Sequence, residues 1–325
     1  MLPFHQEATA CFRADMVYVG VDEAALGSKL GPFCCCLTHF EYSGSRGLYE
    51  MLSGVISQTR DGSGRLQITD SKAIFSQSVG IEKLETGVLA FLSAIGIPIP
   101  SSFFQLLQSL CPTTDLRTLT ESPWFADCSN LTIPVSKSAY HKFDSAISEV
   151  MKNCSVTVRR PKLRFISARE FNRELESHGD KSSAVQGIIA PLLINVLEDN
   201  KVNTHITVDR QGGRRYYGTW LHNIFPGRKP AILSEEPGCS SYRIGNVSID
   251  FLVRSETSKL ETALASMISK YVRELAMLSF NMWWEKRIPG IRPCAGYPLD
   301  AKRFLQELGK AEAIDEWNPT LVRRR

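Results

Sequence analysis

The first informative stretch of the sequence is MVYVGVDEAALG, which runs from Met16 to Gly27. Residues 16–21 are mainly β-branched or aromatic, a composition that predicts a buried strand. Asp22 and Glu23 follow directly, and small residues then lead into a turn that ends at Gly27. The sequence therefore predicts a buried strand that delivers two carboxylates to one edge of a sheet.

Strands and helices alternate along the rest of the chain. The segment from Phe33 to Leu37 follows the Gly31-Pro32 turn and predicts the second strand of a meander, with a short third strand at 66–69. Further strands are predicted at 156–158, 163–166, 204–208 and 247–254, and helices at 76–94, 140–152, 184–197 and 260–275. Pro191 is expected to bend or interrupt the third of these helices. This order predicts an α/β sheet covered by helices, with most of the chain in one domain.

The region 97–140 departs from this alternation. Prolines interrupt its helical patterns at positions 98, 100, 112, 123 and 134. We predict that this region is an inserted segment rather than part of the core.

Composition excludes several classes of protein. Of the 325 residues, 43% are hydrophobic and 22% are charged, which is typical of a globular chain rather than a disordered, collagenous or coiled-coil one. The formal net charge of +4 is too small to indicate nucleic-acid binding by itself. No apolar run reaches the ~18 residues of a membrane-spanning helix, so no membrane contact is expected.

The N-terminal segment and the cysteines predict a cytoplasmic protein. Residues 1–16 lack the basic start and apolar core of a secretory signal. The nine cysteines show no metal-type spacing, and Cys34, Cys35 and Cys36 are consecutive in an apolar run that suits buried thiols. We therefore expect a reduced, cytoplasmic location.

Acidic residues recur where predicted strands end. Asp209 closes one strand and Glu256 follows another, as Asp22 and Glu23 follow the first. Because the ends of neighbouring strands can converge, the four carboxylates can form one cluster, whose repulsion requires a cation such as Mg²⁺ or Mn²⁺. The plainer alternative is that each of them is a turn former or a helix cap.

Five blocks of sequence, in order, resemble the ribonuclease HII family. They are GVDEAALG at 20–27 with Gly31-Pro32, ITDSKAIFS at 68–76, TVDR at 207–210, LVRSETSKLETALASMISKYVRE at 252–274, and AGYP at 295–298. The likeness extends from Val17 to Leu308 and is broken by insertions at about 97–140 and 212–246. No single block decides the matter, whereas five blocks in the family's order make the resemblance strong.

The resemblance implies an RNase H-like α/β fold. Its mixed sheet is expected to contain an antiparallel meander followed by parallel strands, and to be flanked by helices. The catalytic domain would cover residues 1–290. A C-terminal helical extension would follow over 291–325, ending in a basic tail at 323–325 that has no fixed structure.

The resemblance also implies a metal centre. Asp22, Glu23 and Asp209 match the family's acidic residues, and Glu256 stands where the family has Asp. These four residues would be catalytic and would bind two Mg²⁺ or Mn²⁺ ions. Asp250 is the alternative to Glu256 if the alignment contains a gap before the final helix.

Substrate recognition is implied by two further matches. The turn Ala25, Leu26, Gly27 replaces the family's Gly-Arg-Gly, which presents backbone groups to the 2′-hydroxyl of a ribonucleotide. Alanine fits such a turn only where φ is negative, or at a steric cost, and Leu26 removes a cation. Tyr297 matches an aromatic residue that packs near the RNA–DNA junction.

Other matches imply contacts with the phosphate backbone. Asp70, Ser71 and Lys72 correspond to the family's Asp-Ser-Lys block, although Lys72 taken alone is a solvated loop lysine. Ser266 and Lys270 lie four residues apart on one helical face. The family places this pair beside the substrate backbone, and the alternative is a plain surface pair.

A basic and aromatic cluster follows the third carboxylate. It suits phosphate contact together with stacking on bases or sugars, and it suits a salt-bridged loop equally well. Its members are Arg210, Arg214, Arg215, Tyr216 and Tyr217.

These features predict a metal-dependent endoribonuclease that cuts RNA within RNA–DNA hybrids, or at ribonucleotides embedded in duplex DNA. One alternative is a non-cleaving nucleic-acid-binding relative, which the altered turn and Glu256 favour. Another is a nuclease of the same fold with a different substrate. Nucleic acid is the expected partner in each case, and the oligomeric state is left open. A carboxylate at every metal position favours the endoribonuclease.

Overall fold

The computed structural model describes residues 16–44, 46–59, 62–126, 128–199, 202–311 and 318–324. Residues 1–15, on which the prediction about secretion rests, lie outside these ranges, as does Arg325 of the basic tail. No helix within the described ranges is long and apolar enough to cross a membrane.

A central mixed sheet of seven strands organises the described part of the chain. The strands of the described residues are β1 (Met16–Ala24), β2 (Phe33–Tyr42), β3 (Ile56–Ser57), β4 (Leu66–Gln67), β5 (Thr157–Ile166), β6 (Asn203–Asp209), β7 (Ala231–Glu235), β8 (Cys239–Ile244) and β9 (Val247–Leu252). Their order across the sheet is β5-β2-β1-β6-β9-β8-β7. β2 is antiparallel to β1 and β5, whereas β1, β6 and β9 are parallel, which confirms the predicted mixed α/β sheet.

Helices cover both faces of this sheet. They are α1 (Leu48–Met51), α2 (Ser71–Ile74), α3 (Glu82–Ala94), α4 (Phe103–Leu110), α5 (Thr113–Thr118), α6 (Pro123–Ala126), α7 (Asp144–Asn153), α8 (Ala168–His178), α9 (Lys181–Asp199), α10 (Gly218–Ile224), α11 (Leu260–Arg287), α12 (Pro298–Lys310) and α13 (Asn318–Leu321). One apolar core lies between the sheet and α3, α4 and α11, and the other between the sheet and α8, α9 and α10.

The long helix α11 packs closely against β1 at Gly20. A Cβ atom at Gly20 would lie 2.2 Å from the carbonyl carbon of Glu261, so glycine is required for this approach. The Thr38 hydroxyl of β2 donates to the Glu261 backbone oxygen over 2.7 Å and holds the start of the helix against the sheet. As a result, α11 passes beside the end of β1, where Asp22 lies.

Two predictions about strands are wrong. The strand expected at 66–69 is not the third of the meander, because β4 pairs with β3 in a separate two-stranded sheet. β5 takes the third place beside β2, although it lies far along the chain, and local patterns do not reveal such distant pairing. The two strands expected at 156–158 and 163–166 are one strand, because Pro161 lies on the sheet edge, where its missing N–H costs little.

Three helix predictions need adjustment. The helix expected at 76–94 begins only at Glu82, since the preceding residues form a turn in which Gly80 has a φ of +78°. The helix expected at 140–152 is split into a 3₁₀ turn, Tyr140–Lys142, and α7. α9 continues through Pro191 because buried apolar residues such as Ile188 and Leu192 hold it on both sides.

Both predicted insertions contain regular structure. The segment 97–140 carries α4, α5 and α6, and the prediction that it lies outside the core is wrong, because its Phe103 and Leu107 are fully buried in the core. The buried Glu85 also fastens the segment. The Glu85 carboxylate accepts from the Val135 N–H over 2.8 Å and from the Tyr271 hydroxyl over 2.7 Å. The segment 212–246 supplies α10, β7 and β8, so it extends the sheet rather than interrupting it.

The prediction that the basic tail has no fixed structure is wrong for its described residues. Val322 forms an isolated β-bridge with Leu30, and Arg323 is only 1% exposed. The guanidinium of Arg323 lies 4.8 Å from the ring centroid of Phe171 and donates to backbone carbonyls. A buried arginine that finds acceptors in this way fixes the segment around it.

Candidate active site

Four carboxylates come together at one edge of the sheet. β1 and β6 are parallel and in register, so Asp22 and Asp209 end neighbouring strands side by side. A 3₁₀ helix, Ser255–Thr257, follows β9 and brings Glu256 to the same edge, where Glu23 completes the set. Parallel strands end at the same edge of a sheet, and the topology therefore accounts for this convergence.

Buried hydrogen bonds fix two of these carboxylates. Asp22 is 5% exposed, and its side chain is hydrogen-bonded to Ser266 of α11. Asp209 Oδ1 accepts from the Ser255 N–H over 3.0 Å and from the Ser255 hydroxyl over 3.2 Å. These two bonds tie the 3₁₀ helix to the end of β6 and place Glu256 beside Asp209.

Burial and mutual repulsion oppose ionisation of the cluster. Burial, and then the charges of Glu23 and Asp209, raise the pKa of Asp22 well above its ordinary value. Burial and Asp209 raise the pKa of Glu23 to about 8 and that of Glu256 to about 7, while the Lys72 ammonium partly offsets the rise at Glu23. A compensating cation would favour the ionised forms of Asp22, Glu23 and Glu256.

The chemistry of these residues fits a hard divalent cation. Glu23 Oε2 and Glu256 Oε2 are buried and have no hydrogen-bond partner among the described residues. Carboxylate oxygens are the ligands that Mg²⁺ and Mn²⁺ prefer, and a cation would satisfy these two atoms and relieve the repulsion. In the described ranges, no group of three or more His, Cys, Asp or Glu side chains is arranged as a metal-binding set.

The structure brings Glu256, and not Asp250, to the cluster. Asp250 lies within β9, where it is the register partner of Thr207 of β6. Its Oδ2 is 3.3 Å from Nε2 of His205, with which it forms a half-buried pair. The extra methylene of Glu256 is accommodated because the 3₁₀ helix, rather than the strand itself, carries the side chain.

The turn after the first two carboxylates has a strained backbone. Ala25 has a φ of +72°, in the left-handed region, so alanine adopts this conformation at the steric cost anticipated from the sequence. The Ser28 N–H donates to the Ala25 carbonyl over 3.1 Å and closes the turn, in which Leu26 is half-buried and Gly27 exposed. Arg323 supports the turn from beneath: its Nε donates to the Ser28 carbonyl over 3.1 Å, and its Nη2 donates to the Ala25 carbonyl.

Asp70, Ser71 and Lys72 border the carboxylates. Asp70 caps α2 by accepting from the Lys72 N–H over 2.9 Å, and Ser71 Oγ lies 3.1 Å from Ser266 Oγ. Burial opposes protonation of Lys72, but the charges of Asp70 and Glu256 outweigh it and raise the lysine pKa. Lys72 therefore supplies positive charge to the cluster and is more than a solvated loop lysine.

The surface-pair alternative for Ser266 and Lys270 is wrong, because the two residues are only 4% and 8% exposed. Residues at α2 cover this helical face, since Ser71 Oγ lies 3.1 Å from Ser266 Oγ and Lys270 Nζ lies 4.5 Å from the ring centroid of Phe75. Lys270 Nζ donates to Glu274 Oε1 over 2.6 Å and lies 5.8 Å from the ring centroid of Tyr297. Tyr297 is 41% exposed, so part of its ring is open to a ligand at the margin of the site.

Arg210 and Tyr217 support a loop instead of facing a ligand. Arg210 Nη2 donates to the Glu236 carbonyl over 3.1 Å and to Ser240 Oγ over 2.8 Å. Tyr217 is fully buried and stacks on Phe251 with ring centroids 3.6 Å apart. Arg210 and Tyr217 therefore stabilise the loop itself, whereas Arg215 and Tyr216 lie at the surface.

Two buried arginines beside the site were not predicted. Arg273 is fully buried, donates through Nη1 to Glu274 Oε1 over 2.7 Å, and lies 5.0 Å from the ring centroid of Tyr297. Its place in the block at 252–274 is a signal that could have identified it. Arg323 has no comparable signal, because its contacts all lie far away in the sequence.

Comparison with known proteins finds similarity of fold only. No protein-family model matches the sequence, and no curated protein matches it.

Similar solved structures include RNase HII of Archaeoglobus fulgidus in its complex with PCNA, with 12% identity over 95% of this chain and 94% of that chain and a TM-score of 0.43. Ribonuclease H2 of Pyrococcus horikoshii OT3 is 14% identical over 94% of this chain and 92% of that chain, with a TM-score of 0.38. Bst-RNase HIII in complex with Mn²⁺ is 12% identical over 96% of this chain and 67% of that chain, with a TM-score of 0.39. These matches are distant, with identities of 12–14% and TM-scores below 0.5, and they cover nearly all of this chain.

Proposed function

We propose that the protein is a metal-dependent nuclease that hydrolyses a phosphodiester bond of a nucleic acid. The observation that carries this proposal is the convergence of Asp22, Glu23, Asp209 and Glu256 at one edge of the sheet. A cluster of buried, repelling carboxylates destabilises the fold, and a site for divalent cations accounts for it.

The residues have distinct roles in this proposal. Asp22 and Asp209, held by Ser266 and Ser255, would provide fixed ligand oxygens, while Glu23 and Glu256 would complete the ligand set with their unpaired oxygens. Cations held there would lower the pKa of an attacking water and stabilise the leaving 3′ oxygen.

Charged side chains around the cluster would bind the substrate. Lys72 borders the carboxylates and can contact the phosphate backbone, since its ammonium is held in the charged form. The buried bonds between Ser71 and Ser266 and between Lys270 and Glu274 fix the surface from which Lys72 and Tyr297 project. The proposed substrate is RNA in an RNA–DNA hybrid, or a ribonucleotide embedded in duplex DNA.

A cleavage assay tests this proposal. Labelled RNA–DNA hybrid is incubated with Mg²⁺ or Mn²⁺, and the same reaction is run with a chelator. We expect cleavage only with the metal, and a loss of at least about 100-fold for Asp22→Asn, because removal of a metal ligand should cost more than removal of a residue that only orients a ligand. Asp250→Asn is the matched control, since this carboxylate lies outside the cluster, and it should cleave like wild type. Absence of cleavage with either metal, or equal rates for wild type and Asp22→Asn, would contradict the proposal.

One observation favours a second candidate, a nuclease of the same site with a different substrate. Ala25 holds its positive φ at a steric cost, and Leu26 brings an apolar side chain to the turn that would meet the ribose. A panel of plain duplex DNA, single-stranded RNA and DNA with one ribonucleotide separates the two candidates. Faster cleavage of a substrate without an RNA–DNA junction would select the second.

A further inference from the structure

A pocket adjoins the carboxylate cluster on the face of the sheet covered by α9. It has a volume of about 700 Å³, and we call it the loop pocket. Its walls are formed by Leu26 of the turn, Lys181 and Ser182 at the start of α9, and the loop at 211–216. Leu26 lies three residues after Glu23, and the loop begins two residues after Asp209, so the pocket opens next to the proposed catalytic site.

The walls of the loop pocket combine positive charge with an aromatic ring. The described lining residues include three cations, Lys181, Arg214 and Arg215, and no carboxylate. Arg214 is oriented by neutral partners, since its Nε donates to Ser182 Oγ over 2.8 Å. The Arg215 guanidinium lies 5.7 Å from the ring centroid of Tyr216, which is 64% exposed. A cation beside an open aromatic face is the combination that binds a phosphate and a stacked base.

Two carboxylates lie near these cations but do not cancel the charge of the pocket. Glu236 is strongly exposed and lies 4.0 Å from Arg215, a distance at which the pair contributes little in water. The charge of Arg214 contributes to lowering the pKa of Asp180, after hydrogen bonds from Ser183. Neither acid lines the pocket, which therefore keeps an excess of positive charge.

A buried polar atom in the wall also lacks a partner. Gln211 is only 5% exposed and lines the loop pocket, and its Oε1 accepts no hydrogen bond among the described residues. A buried acceptor without a donor is costly, so a ligand that donates to it gains affinity. The hydroxyl of a ribose or the exocyclic amine of a base is such a donor.

We propose that the loop pocket binds one unpaired nucleotide of the substrate, next to the phosphodiester that is cut. The base would stack on Tyr216, the phosphate would lie between Arg215 and Lys181, and a sugar hydroxyl or base amine would donate to Gln211. This inference rests on the proposed nuclease function, because it assigns the pocket to the same nucleic acid. Its volume lies in the range of ordinary small-molecule sites, which is sufficient for a nucleotide.

The test measures binding by fluorescence anisotropy in an Asp22→Asn background, so that the strand is not cut. Two labelled RNA–DNA hybrids are compared, one blunt and one with a single unpaired nucleotide at either end of the RNA strand. We expect the hybrid with the unpaired nucleotide to bind more tightly than the blunt one. Tyr216→Ala should weaken its binding about tenfold and leave the blunt hybrid within about twofold, as loss of one stacked base predicts.

Two controls make the result specific. Tyr216→Phe keeps the ring and should bind both hybrids as the Asp22→Asn parent does. Gln211→Met, which removes the unpaired acceptor, should also weaken the hybrid with the unpaired nucleotide more than the blunt one.

Equal affinity of the parent for the two hybrids, or equal losses on both hybrids for Tyr216→Ala, would overturn the inference and leave the nuclease proposal intact. Failure of the parent to bind either hybrid would overturn both the inference and the proposal that an RNA–DNA hybrid is the substrate.

Discussion

Single residues show most clearly that the proposed site lowers the stability of the fold. Glu256 is 2% exposed, and burial and the neighbouring Asp209 raise its pKa to about 7. Glu23 experiences the same two effects, and its pKa rises to about 8. Residues that destabilise the fold in this way are typical of functional sites, where activity and stability oppose each other.

The first prediction concerns the stability of the protein without divalent cations. Glu256→Gln removes one repelling charge, and it should raise the free energy of unfolding at pH 8 by about 1 kcal/mol while it impairs cleavage. Thermal denaturation in the presence of a chelator measures the change. Asp250→Asn is the control, and it should give no gain because it breaks the pair with His205. A less stable Glu256→Gln protein would show that the carboxylates do not repel one another.

Some of these residues could be predicted from the sequence, and others could not. Asp22 and Asp209 directly follow β-branched runs, and a strand end is readable locally. Glu256 and Asp250 remained alternatives because the choice depends on the 3₁₀ helix after β9, which has no distinctive pattern. The positive φ of Ala25 contradicts the ordinary preference of alanine, so only the structure reveals it.

Among the structural elements, the C-terminal segment 318–324 has the least expected role. Arg323 of this segment is 1% exposed and donates to the carbonyls of Ala25 and Ser28. Through these bonds a segment distant in sequence supports the strained turn beside the carboxylates. Burial and the nearby Arg273 lower the Arg323 pKa to about 9, so the guanidinium is costly to bury and these acceptors are needed.

The second prediction follows from this support. Arg323→Ala leaves the Ser28 carbonyl without its donor and removes one of the two donors to the Ala25 carbonyl, so it should lower the free energy of unfolding by about 2–4 kcal/mol. Arg323→Lys should recover only part of the lost stability, because lysine lacks the planar guanidinium that donates to both carbonyls. Urea denaturation measures both variants.

The neighbouring residue provides a matched control. Arg324 is exposed and pairs with the exposed Glu176, so Arg324→Ala should change stability by less than about 0.5 kcal/mol. Equal effects of Arg323→Ala and Arg324→Ala would contradict the supporting role of Arg323.

Elements whose residues follow a strong local pattern could be predicted from the sequence. Elements whose position depends on pairing with a distant segment could not. The run at 260–275 predicted α11 because its apolar residues recur at helical spacing, and the helix extends beyond it to Arg287. The sequence does not reveal that β5 lies beside β2, because the two strands are separated along the chain by more than the length of the first insertion. Leu66–Gln67 has the composition of a strand but finds its partner in Ile56–Ser57, outside the main sheet.

At the level of the whole molecule, one edge of the sheet carries the groups of the proposed active site. The parallel strands β1, β6 and β9 end there, α11 closes one face, and α9 with the loop pocket borders the other. The carboxylate cluster, which suits divalent metal ions, therefore lies beside the cationic side chains of the loop pocket, which suit phosphates. The overall charge of the chain is nevertheless only +4. Composition does not register this local separation of charge, so the overall charge did not indicate the nucleic-acid partner that we propose.

Anomalous diffraction from crystals soaked in Mn²⁺ tests directly whether the four carboxylates bind metal. We expect at least one anomalous peak within roughly 2.0–2.4 Å of carboxylate oxygens of Asp22 and Asp209, with Glu23 or Glu256 also in contact. The peak should disappear in Asp209→Asn crystals soaked in the same way. A saturated wild-type crystal without a peak among these four side chains, or with Mn²⁺ bound only elsewhere, would contradict the account.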